Sequence, residues 1–579
     1  MAEITQKKWT ALEQTPQRGS LLQRVLQARG LQTEAERLAF LDCSLASLQD
    51  PFRLPGIRAA AYRLAQAVRQ GERILIHGDF DADGLTATAL MARLLRSFGA
   101  EVECIIPDRL SDGYGISVPA VRRAASDKTA ALLLTVDCGI SAAAEIAEIN
   151  ELGLEVIVTD HHECPAALPQ ALAVVNPRLE GNPDSEQQLA GVGVAYKLAQ
   201  ALCIELGAPG REQQGLAFVA VGTVADVMPL TGENRILTAN GLQALNQGKL
   251  VCFKALLTAC VNGNRPVTAT TISFALAPRL NAAGRLGKAE LALELLLTDD
   301  PVEANRIALE LNNLNEERKT IETEIFAQAA EEIENSPATA VAGPLVVAGE
   351  GWHHGVIGIV ASRLVERYSR PVIVLAGDEG TYRGSGRSVG NFNLLAAVKA
   401  AGEFTERFGG HRQAIGLTLS ETQLPGFRLQ LQSYSKANAE SIADASLKTP
   451  TADLFVQSAE LTLAAARELE QLQPYGAANP EPLFIAEGLR ILESRPVGSN
   501  GRTLKLRFEA PTDNGNIVIE GVGFGMGEQA ADYQRNACFD AVFNLDVNRF
   551  NGRESCQLKV HDLQPGNIAK TQPIPKGGE

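Results

Sequence analysis

The chain has 579 residues, of which 45% are hydrophobic, and its formal net charge is −15. This length exceeds what one hydrophobic core supports, so we expect three or four folded domains. The negative charge argues against a protein that coats nucleic acid by bulk attraction, although it leaves room for a local basic channel. The nine cysteines include no Cys-x-x-Cys pair, which indicates reduced thiols in a cytoplasmic protein.

The sequence predicts neither a signal peptide nor a membrane-spanning helix. The first nine residues contain no apolar core of signal-peptide length. No stretch offers about 18 uninterrupted apolar residues, so we expect no membrane-spanning helix.

Between residues 72 and 177, short apolar runs alternate with segments of helical spacing. The strand-like runs are 73–77, 102–106, 131–136 and 154–158, and the helical segments are 85–98 and 141–151. Strand, helix and strand at this spacing predict a parallel α/β sheet.

Acidic residues follow three of these strands, where ligands bind in parallel sheets. They are Asp79 to Asp83, Asp137, and the segment 160–162 that contains two histidines. Carboxylates this close repel each other strongly unless a cation lies among them. Carboxylates with an imidazole suit Mg²⁺ or Mn²⁺, and the absence of thiol pairs argues against structural zinc. The alternative is a solvated acidic turn, but the helix that begins near Gly84 holds the acids at a strand end.

A mostly helical region follows, at about 190–260. Asp226 lies beside a helix break there, and it is either a further site residue or a capping residue. Within the segment Pro278 to Arg285, we expect a turn at 278–281. Residues 301–334 contain no glycine and only the initial proline, and their apolar residues fit one face of a long helix. We expect this helix to be a spacer between two domains.

The remaining chain predicts a second α/β unit and a small barrel. Strands at 345–348 and 371–375 flank a helix at about 355–367, within a unit of residues 344–420. Five alternating apolar segments then lie near 483–493, 503–508, 516–524, 539–547 and 556–562. Five short strands in about ninety residues favour an OB-fold.

Taken with these patterns, the chain resembles the DHH phosphoesterase superfamily, and closely the bacterial RecJ-type single-stranded-DNA-specific exonucleases. The segments that carry the resemblance run in the family's order and cover nearly the whole length. They are His77–Thr88, Pro107–Arg109 with Asp112–Gly115, Thr135–Ser141, Thr159–His162, Gly222–Leu230, Pro278–Arg285, Gly351–Leu364, Gly384–Ser388 and Phe408–His411.

The resemblance implies an α/β multidomain protein. Its expected parts are an N-terminal helical segment (1–50), a parallel-sheet DHH catalytic domain (51–300), a long connecting helix (301–336), a smaller α/β DHH-associated domain (337–445), a C-terminal OB-like nucleic-acid-binding barrel (446–567) and a flexible tail (568–579).

The resemblance also implies a 5′-to-3′ exonuclease that hydrolyses phosphodiester bonds of single-stranded DNA in repair and recombination, with two Mn²⁺ or Mg²⁺ ions. Such ions neutralise phosphoryl oxygens and lower the pKa of water. The implied ligands are Asp79 (or His77), Asp81, Asp83, Asp137, His161 and Asp226, with Asp137 bridging. His162 completes the catalytic set, either at the scissile phosphate or orienting a ligand; the alternative is a buried structural imidazole.

A further set of residues is implied to hold nucleic acid. It comprises Arg109, Arg279, Asn281, Arg285, His353, Arg363, Arg387, Ser388, Gly410, His411 and, in the barrel, Arg502, Lys505 and Arg507. The arginines could instead form structural salt bridges, and Gly410 could serve close packing. His354 departs from the family pattern, where glutamine is more usual. In the barrel, Phe508 and Phe550 lie near the basic residues, and we expect Phe524 in the core.

The expected partner is single-stranded DNA, with a single-stranded-DNA-binding protein and a RecQ-like helicase as further partners of a monomer in the bacterial cytoplasm, associated with the nucleoid. Two alternatives remain. One is a DHH phosphodiesterase for short oligonucleotides or cyclic dinucleotides, which would not need a barrel. The other is a non-catalytic DHH scaffold, which would have lost metal-binding acids.

Overall fold

The computed structural model describes residues 9–13, 19–109, 115–127, 129–183, 188–261, 263, 265–335, 343–437, 451–498, 501–512, 515–550 and 552–566. The chain divides into two compact units. The larger comprises residues 48–228 and 233–447, and the smaller comprises 1–47, 229–232 and 448–579. Among the described residues, no helix is both long and apolar enough to cross a membrane.

The smaller unit begins with one short strand and two helices, which are β1 (Thr10–Ala11), α1 (Leu21–Ala28) and α2 (Glu34–Leu41). Both helices begin at capping boxes, in which Ser20 pairs with Gln23 and Thr33 pairs with Glu36. Each box satisfies backbone N–H groups that the first helical turn leaves without partners.

A five-stranded parallel sheet opens the larger unit. Its strands are β2 (Arg73–Gly78), β3 (Val102–Ile105), β4 (Ala130–Val136), β5 (Glu155–Thr159) and β6 (Ala173–Val175). Their order is β3-β2-β4-β5-β6, and all neighbours are parallel. The central strands are buried on both faces, which explains their continuous apolar sequences. The predicted parallel sheet is confirmed.

Eleven helices accompany this sheet in the described residues. They are α3 (Ile57–Gln70), α4 (Ala82–Ser97), α5 (Val118–Ala124), α6 (Ala143–Glu151), α7 (Gly191–Glu205), α8 (Leu216–Ala225), α9 (Gly232–Asn246), α10 (Val251–Cys260), α11 (Ala269–Thr271), α12 (Ala277–Arg285) and α13 (Ala289–Leu297). The turn expected at 278–281 is wrong, because this segment lies in α12. Pro278 occupies the first helical turn, where a backbone N–H is not needed.

The long helix predicted from residue 301 is confirmed as α14 (Pro301–Asn335), which has 35 residues. In its first half, Ile307, Leu311 and Leu314 are buried, and the helix packs there against α10, α12 and α13. In its second half, Ile325 and Ile333 join the core of the following domain. The helix therefore contributes to two cores, in addition to spanning between them.

In its described residues, the second α/β domain contains one mixed sheet and three α-helices. These elements are β7 (Leu345–Glu350), α15 (Ile357–Tyr368), β8 (Val372–Asp378), β9 (Thr381–Arg387), α16 (Leu394–Ala400), β10 (Arg407–His411), β11 (Ala414–Ser420) and α17 (Leu424–Ala437). The sheet order is β10-β11-β9-β8-β7; only β7 and β8 are parallel.

The rest of the smaller unit is the predicted barrel. Its elements are β12 (Thr451–Ala452), β13 (Leu454–Phe455), α18 (Leu463–Leu469), β14 (Phe484–Val497), β15 (Thr503–Thr512), β16 (Gly515–Phe524), β17 (Cys538–Phe550) and β18 (Arg553–Pro565). Pairing of β14 with β17 closes a five-stranded barrel in the order β14-β15-β16-β18-β17. The OB-like fold is thus confirmed.

The amino-terminal segment belongs to this barrel unit. Strand β1 pairs in parallel with β12, and Val25 and Leu26 of α1 lie in the barrel's core cluster. The N-terminal helical segment predicted at 1–50 is therefore not separate from the barrel. The sequence did not predict this packing, because no local pattern identifies a partner more than 400 residues away. The expected boundary at 445 and the tail at 568–579 lie outside the described residues.

Two phenylalanines correct the prediction for the barrel. Phe508 is fully buried, whereas Phe524, which we expected in the core, is 70% exposed. Along β16, Ile519, Gly521 and Gly523 face inward, so Phe524 faces outward by strand alternation.

Candidate metal centre and substrate site

The tight turn after β2 fixes three acids. Asp81 caps α4, because its Oδ1 accepts hydrogen bonds from the backbone N–H of Asp83 (2.9 Å) and Gly84 (3.1 Å). A Cβ on Gly84 would lie 2.6 Å from backbone atoms of Asp79, so only glycine allows the helix to begin this close to the strand.

Asp83 faces the amino terminus of α7. Its carboxylate oxygens accept hydrogen bonds from the backbone N–H of Gly191 (2.7 Å) and Val192 (2.9 Å). This position favours a negative charge. A Cβ on Gly191 would approach Asp137 Oδ1 to 2.3 Å, so the glycine also leaves room for the next acid.

The remaining members come from three other element ends. Asp137 follows β4 with φ 61°, a left-handed conformation that aspartate tolerates. His161 follows β5, and Asp226 caps the carboxyl end of α8. The Nε2 of His161 lies 3.2 Å from Asp137 Oδ1, 3.7 Å from Asp226 Oδ2 and 3.9 Å from Asp83 Oδ2.

These side chains form two groups with ligand atoms close enough to share an ion. One group is Asp79, Asp81 and Asp137; the other is Asp83, His161 and Asp226, and within each the ligand atoms lie within 4.8 Å of one another. Asp137 also groups with His161 and His162, so it lies between the two sets. We call Asp79, Asp81, Asp83, Asp137, His161 and Asp226 the acidic cluster.

The electrostatics of the acidic cluster fit divalent cations. Burial, followed by repulsion from Asp81, raises the pKa of Asp79 to about 8 and that of Asp226 to about 7. Burial and neighbouring carboxylates hold the pKa values of Asp83 and Asp137 well above their ordinary range. Asp137 Oδ1 is buried and accepts no hydrogen bond from any residue that the structure describes. Positive charge from outside the chain would relieve each of these penalties.

His161 and His162 are adjacent but differ in charge. Burial, with repulsion from His162, lowers the pKa of His161 to about 4, which leaves a neutral imidazole suited to ligation. Burial opposes protonation of His162, but its hydrogen bond and attraction to Asp160 raise its pKa to about 9. The Nδ1 of His162 lies 2.7 Å from Asp160 Oδ1.

Asp160 is a site residue to which the sequence analysis gave no role. It is buried and also accepts hydrogen bonds from the backbone N–H of Ile140, His161 and His162. Its position between a strand end and two histidines was the available signal.

His77 is occupied elsewhere. Its Nε2 accepts a hydrogen bond from the Ser117 backbone N–H (3.1 Å), and its Nδ1 lies 3.7 Å from the Cys138 sulfur. Of the two alternatives at this strand end, Asp79 therefore lies with the other acids.

Three of the predicted arginines form a second group, which we call the arginine cluster. Arg109 lies over the Phe80 ring at 5.0 Å, Arg285 donates to the Gly355 carbonyl, and Arg387 donates to Ser385 and to the Gly386 carbonyl. Burial, followed by repulsion from Arg109, lowers the pKa of Arg285 to about 10 and lowers that of Arg387. Burial also lowers the pKa of Arg109, against attraction to Asp79 and Asp81. Unmatched positive charge suits a phosphate.

Other predicted contacts are engaged within the fold. Arg279 donates from Nε and Nη2 to Asn312 and from Nη1 to the Ala275 carbonyl. Arg363 pairs with Glu322 at 2.8 Å and lies over the Phe326 ring. The Oδ1 of Asn281 accepts a hydrogen bond from the Ala82 backbone N–H at the start of α4.

The predicted residues of the second α/β domain are more dispersed. His353 Nδ1 accepts from the Gly355 backbone N–H, and its ring stacks on His354 at 5.8 Å. Ser388 donates to the Phe392 carbonyl. Gly410, with φ 132°, and His411 lie on the exposed edge strand β10.

In the barrel, the predicted cations mostly have acidic partners. Lys505 pairs with Glu520 at 3.0 Å, and Arg507 lies 3.4 Å from the same carboxylate and 3.8 Å from Glu493. Arg502 lies at the start of β15, where its carbonyl accepts from Gly527. The basic surface expected here is therefore largely neutralised.

Family models match three segments in the order that the fold presents them. The DHH family N-terminal domain matches residues 73–223, the DHHA1 domain matches 323–437, and the RecJ OB domain matches 452–562.

Whole-chain relatives carry the same assignment. The single-stranded-DNA-specific exonuclease RecJ of Dickeya dadantii is 39% identical, over 94% of this chain and 96% of its own. That of Bacillus subtilis is 36% identical, over 94% and 67%. The crystal structure of RecJ from Thermus thermophilus in complex with Mn²⁺ matches at a TM-score of 0.77 with 35% identity, over 94% of this chain and 76% of that one, and its Mg²⁺ complex matches at 0.71. The chain therefore belongs to the RecJ family of single-stranded-DNA-specific exonucleases.

Proposed function

We propose that this protein is a metal-dependent exonuclease that hydrolyses phosphodiester bonds of single-stranded DNA from the 5′ end. The observation that carries this proposal is the convergence of five carboxylates and one neutral imidazole at the edge of one parallel sheet, with Arg109 and Arg285 within electrostatic reach of Asp81. The relatives named above support the substrate, and the 5′ polarity rests on the family resemblance.

In this proposal Asp79, Asp81 and Asp137 would hold one ion, and Asp83, His161 and Asp226 would hold the other. Asp137 would serve both ions, because it lies 3.2 Å from His161 of the second group. When bound, two divalent ions supply positive charge to the phosphoryl oxygens and acidify water. Hard carboxylate oxygens suit Mg²⁺, and the imidazole biases the site toward Mn²⁺.

The proposed role of His162 is to place a proton beside the scissile phosphate. With its pKa at about 9 it is an imidazolium at neutral pH, and 41% of its side chain is exposed. Asp160 fixes the ring through Nδ1, so Nε2–H is the atom that donates to a phosphoryl oxygen. Such a charge-assisted contact both orients and stabilises the phosphoryl group.

The arginine cluster is proposed to hold the terminal phosphate of the strand. Arg109, Arg285 and Arg387 bring three guanidinium groups close enough to repel one another, and none of them forms an ion pair within 4.0 Å with a described carboxylate. A dianionic 5′ phosphate would offset their mutual repulsion, and guanidinium groups match phosphate oxygens in pairs. An end-sensing site follows, which an exonuclease requires. Arg279, Asn281, His353, Arg363, Ser388, Gly410 and His411 stay secondary candidates.

The barrel and the domain division complete the proposal. Residues 51–300 and 337–445 would carry the chemistry, and the OB-like barrel would bind the strand through Arg502, Lys505 and Arg507. Further proposals are partnership with a single-stranded-DNA-binding protein and a RecQ-like helicase, action in DNA repair and recombination, and a place beside the bacterial nucleoid.

The test is digestion of 5′-labelled and 3′-labelled single strands, a matched duplex and a dinucleotide, each with Mn²⁺, Mg²⁺ or chelator. We expect mononucleotide release from the 5′ end of the single strand with either ion and none with chelator. Preference for the dinucleotide would favour a small-substrate phosphodiesterase. Binding of the strand without hydrolysis under every condition would favour a non-catalytic scaffold.

A further inference from the structure

Val227 adopts a backbone conformation that branched side chains rarely occupy. Its φ is 57°, in the left-handed region. In the described part of the chain it is the only β-branched residue with positive φ; the other non-glycine residues are Asp137, Ser369, Glu379, Ala478 and Asn536. A left-handed valine is a genuine outlier, because its Cβ crowds the following carbonyl.

The conformation arises from the way α8 ends. The backbone N–H of Met228 donates to the Thr223 carbonyl at 3.1 Å, and that of Val227 donates to the Val224 carbonyl at 3.2 Å. This pair of bonds is a Schellman motif, in which the left-handed residue is usually glycine. Glycine would form the same two bonds with less strain, so the backbone alone does not require a valine.

Packing within the protein does not offset the strain either. The side chain of Val227 is 71% exposed, although a branched apolar residue gains stability chiefly by burial. What this side chain contributes must therefore come largely from contact with something outside the chain.

The position of Val227 identifies that contact. Asp83 and Asp137 are almost fully buried, whereas Asp226 is 31% exposed and His162 is 41% exposed. The acidic cluster therefore opens to solvent on the side of Asp226 and His162. Val227 directly follows Asp226, so its Cα lies about 3.8 Å from that of Asp226, beside this opening.

We propose that Val227 is a substrate-contact residue that packs against the apolar faces of the deoxyribose and base of a nucleotide next to the scissile phosphate. The inference rests on the proposed function. Charged groups of the acidic and arginine clusters serve the phosphates, while the sugar and base offer apolar surface that a valine matches. Every nucleotide has such surface, so the contact positions the strand without reading its sequence.

The test compares two variants. Val227→Ala removes two methyl groups and keeps the left-handed strain, whereas Val227→Gly removes the whole side chain and the strain with it. Ser369→Gly is the matched control, because Ser369 is also exposed and left-handed (φ 50°) after a helix, α15, and has no place in the site. The measurements are kcat and KM on a single strand with Mn²⁺, the Kd of a fluorescein-labelled single strand in EDTA, and the melting temperature.

Both Val227 variants should raise KM and Kd about three- to tenfold with kcat within about twofold of wild type, as expected for loss of a partly buried apolar contact. Val227→Gly should melt at a higher temperature than Val227→Ala, and Ser369→Gly should leave KM and Kd unchanged. Unchanged KM and Kd in both Val227 variants would overturn the proposal. So would a fall in kcat alone, because Val227 would then act only by holding Asp226.

The proposed function fails separately from this inference. If the wild-type protein does not degrade single strands with Mn²⁺, the exonuclease proposal fails, whatever the variants do. The Kd in EDTA still decides whether Val227 contacts the strand, because that measurement needs neither metal nor turnover.

Discussion

Buried charged side chains form ion pairs with arginine in the barrel unit, whereas those of the acidic cluster do not among the described residues. In the barrel unit, Arg24 pairs with Glu13 and Glu460 at 2.6 Å, and Arg29 pairs with Asp453 at 2.7 Å. In the larger unit, Asp83 and Asp137 are as deeply buried, yet no arginine or lysine among the described residues forms an ion pair with either. The buried arginines of the barrel unit have their own counter-charges, and these two carboxylates of the acidic cluster have none among the described arginines and lysines.

This difference distinguishes charged side chains that stabilise the fold through ion pairs from charged side chains that are available to bind a ligand. A buried ion pair stabilises only if both partners are present. A buried carboxylate without a counter-charge destabilises the folded protein unless a cation binds to it. In the same way, a bound anion would stabilise the arginine cluster. The two unmatched clusters carry the signs of the two species that the proposed reaction brings together, metal ions and phosphate.

The largest expected effect is that of Asp137→Asn, which removes one charge and keeps the shape. We expect the hydrolysis rate on single-stranded DNA with Mn²⁺ to fall at least about a thousandfold, since a bridging ligand serves both ions. In EDTA the variant should melt at a higher temperature than wild type. That advantage should grow as pH rises above the ordinary carboxyl pKa, because wild type must then take up a proton or fold with an unmatched charge.

Asp127→Asn is the control for this experiment, because Asp127 is an exposed acid paired with Arg73. It should change neither the rate nor the metal-free melting temperature appreciably. Near-normal turnover by Asp137→Asn would remove the two-ion assignment.

The barrel side of the comparison is tested by Arg24→Ala. The change removes the guanidinium that pairs with Glu13, which is 5% exposed, and with Glu460, and it should lower the free energy of unfolding of the barrel unit by about 3–5 kcal/mol. Arg467→Ala, which breaks an exposed pair with Glu554, should cost less than about 1 kcal/mol.

The chain has two tryptophans, and only Trp9 lies in the barrel unit, where it donates to Asp562. Urea unfolding of the full chain in a Trp352→Phe background therefore reports this unit by fluorescence. Equal losses for the two arginine variants would mean that the buried ion pairs of Arg24 stabilise the barrel unit no more than an exposed pair does.

The sequence predicts what depends on local pattern and on the parallel sheet. Residues that follow neighbouring parallel strands lie at the same edge of the sheet. The sequence pattern alone therefore predicts that Asp79, Asp137 and His161 lie close together. The partners of Arg279 and Arg363 were not predictable, because Asn312 and Glu322 lie on α14, 33 and 41 residues away. The direction of Phe524 depends on the register of β16 in the closed barrel, which its own alternation does not fix.

The third prediction concerns recognition of the 5′ end, and it uses the hydrogen bonds of Arg279 within the fold. Arg387→Ala and Arg109→Ala should each reduce the preference for 5′-phosphorylated over 5′-hydroxyl strands by roughly tenfold to a hundredfold, as expected for one charge-assisted contact. Arg279→Ala should leave that preference near wild type, because its donors bond Asn312 and Ala275. The ratio of kcat/KM for the two substrates is the measurement, since a folding defect slows both. Loss of preference in Arg279→Ala alone would reverse the assignment.

The smallest expected effect concerns the matched charges on the barrel surface. Glu520 lies 3.0 Å from Lys505 and 3.4 Å from Arg507, so Glu520→Gln removes one acidic partner from each of two cations, while Arg507 keeps Glu493. If this face contacts the strand, affinity for a long single strand at low salt should rise about two- to threefold. The dependence of log K on log salt should steepen, by up to about 0.7 for each phosphate newly neutralised. Lys505→Ala should lower the affinity and flatten the salt dependence. Both changes should be smaller than those of Glu520→Gln, because wild-type Lys505 is already paired. Fluorescence anisotropy at several salt concentrations measures both. If neither variant changes affinity or slope, the strand does not cross this face, and these ion pairs serve the barrel alone.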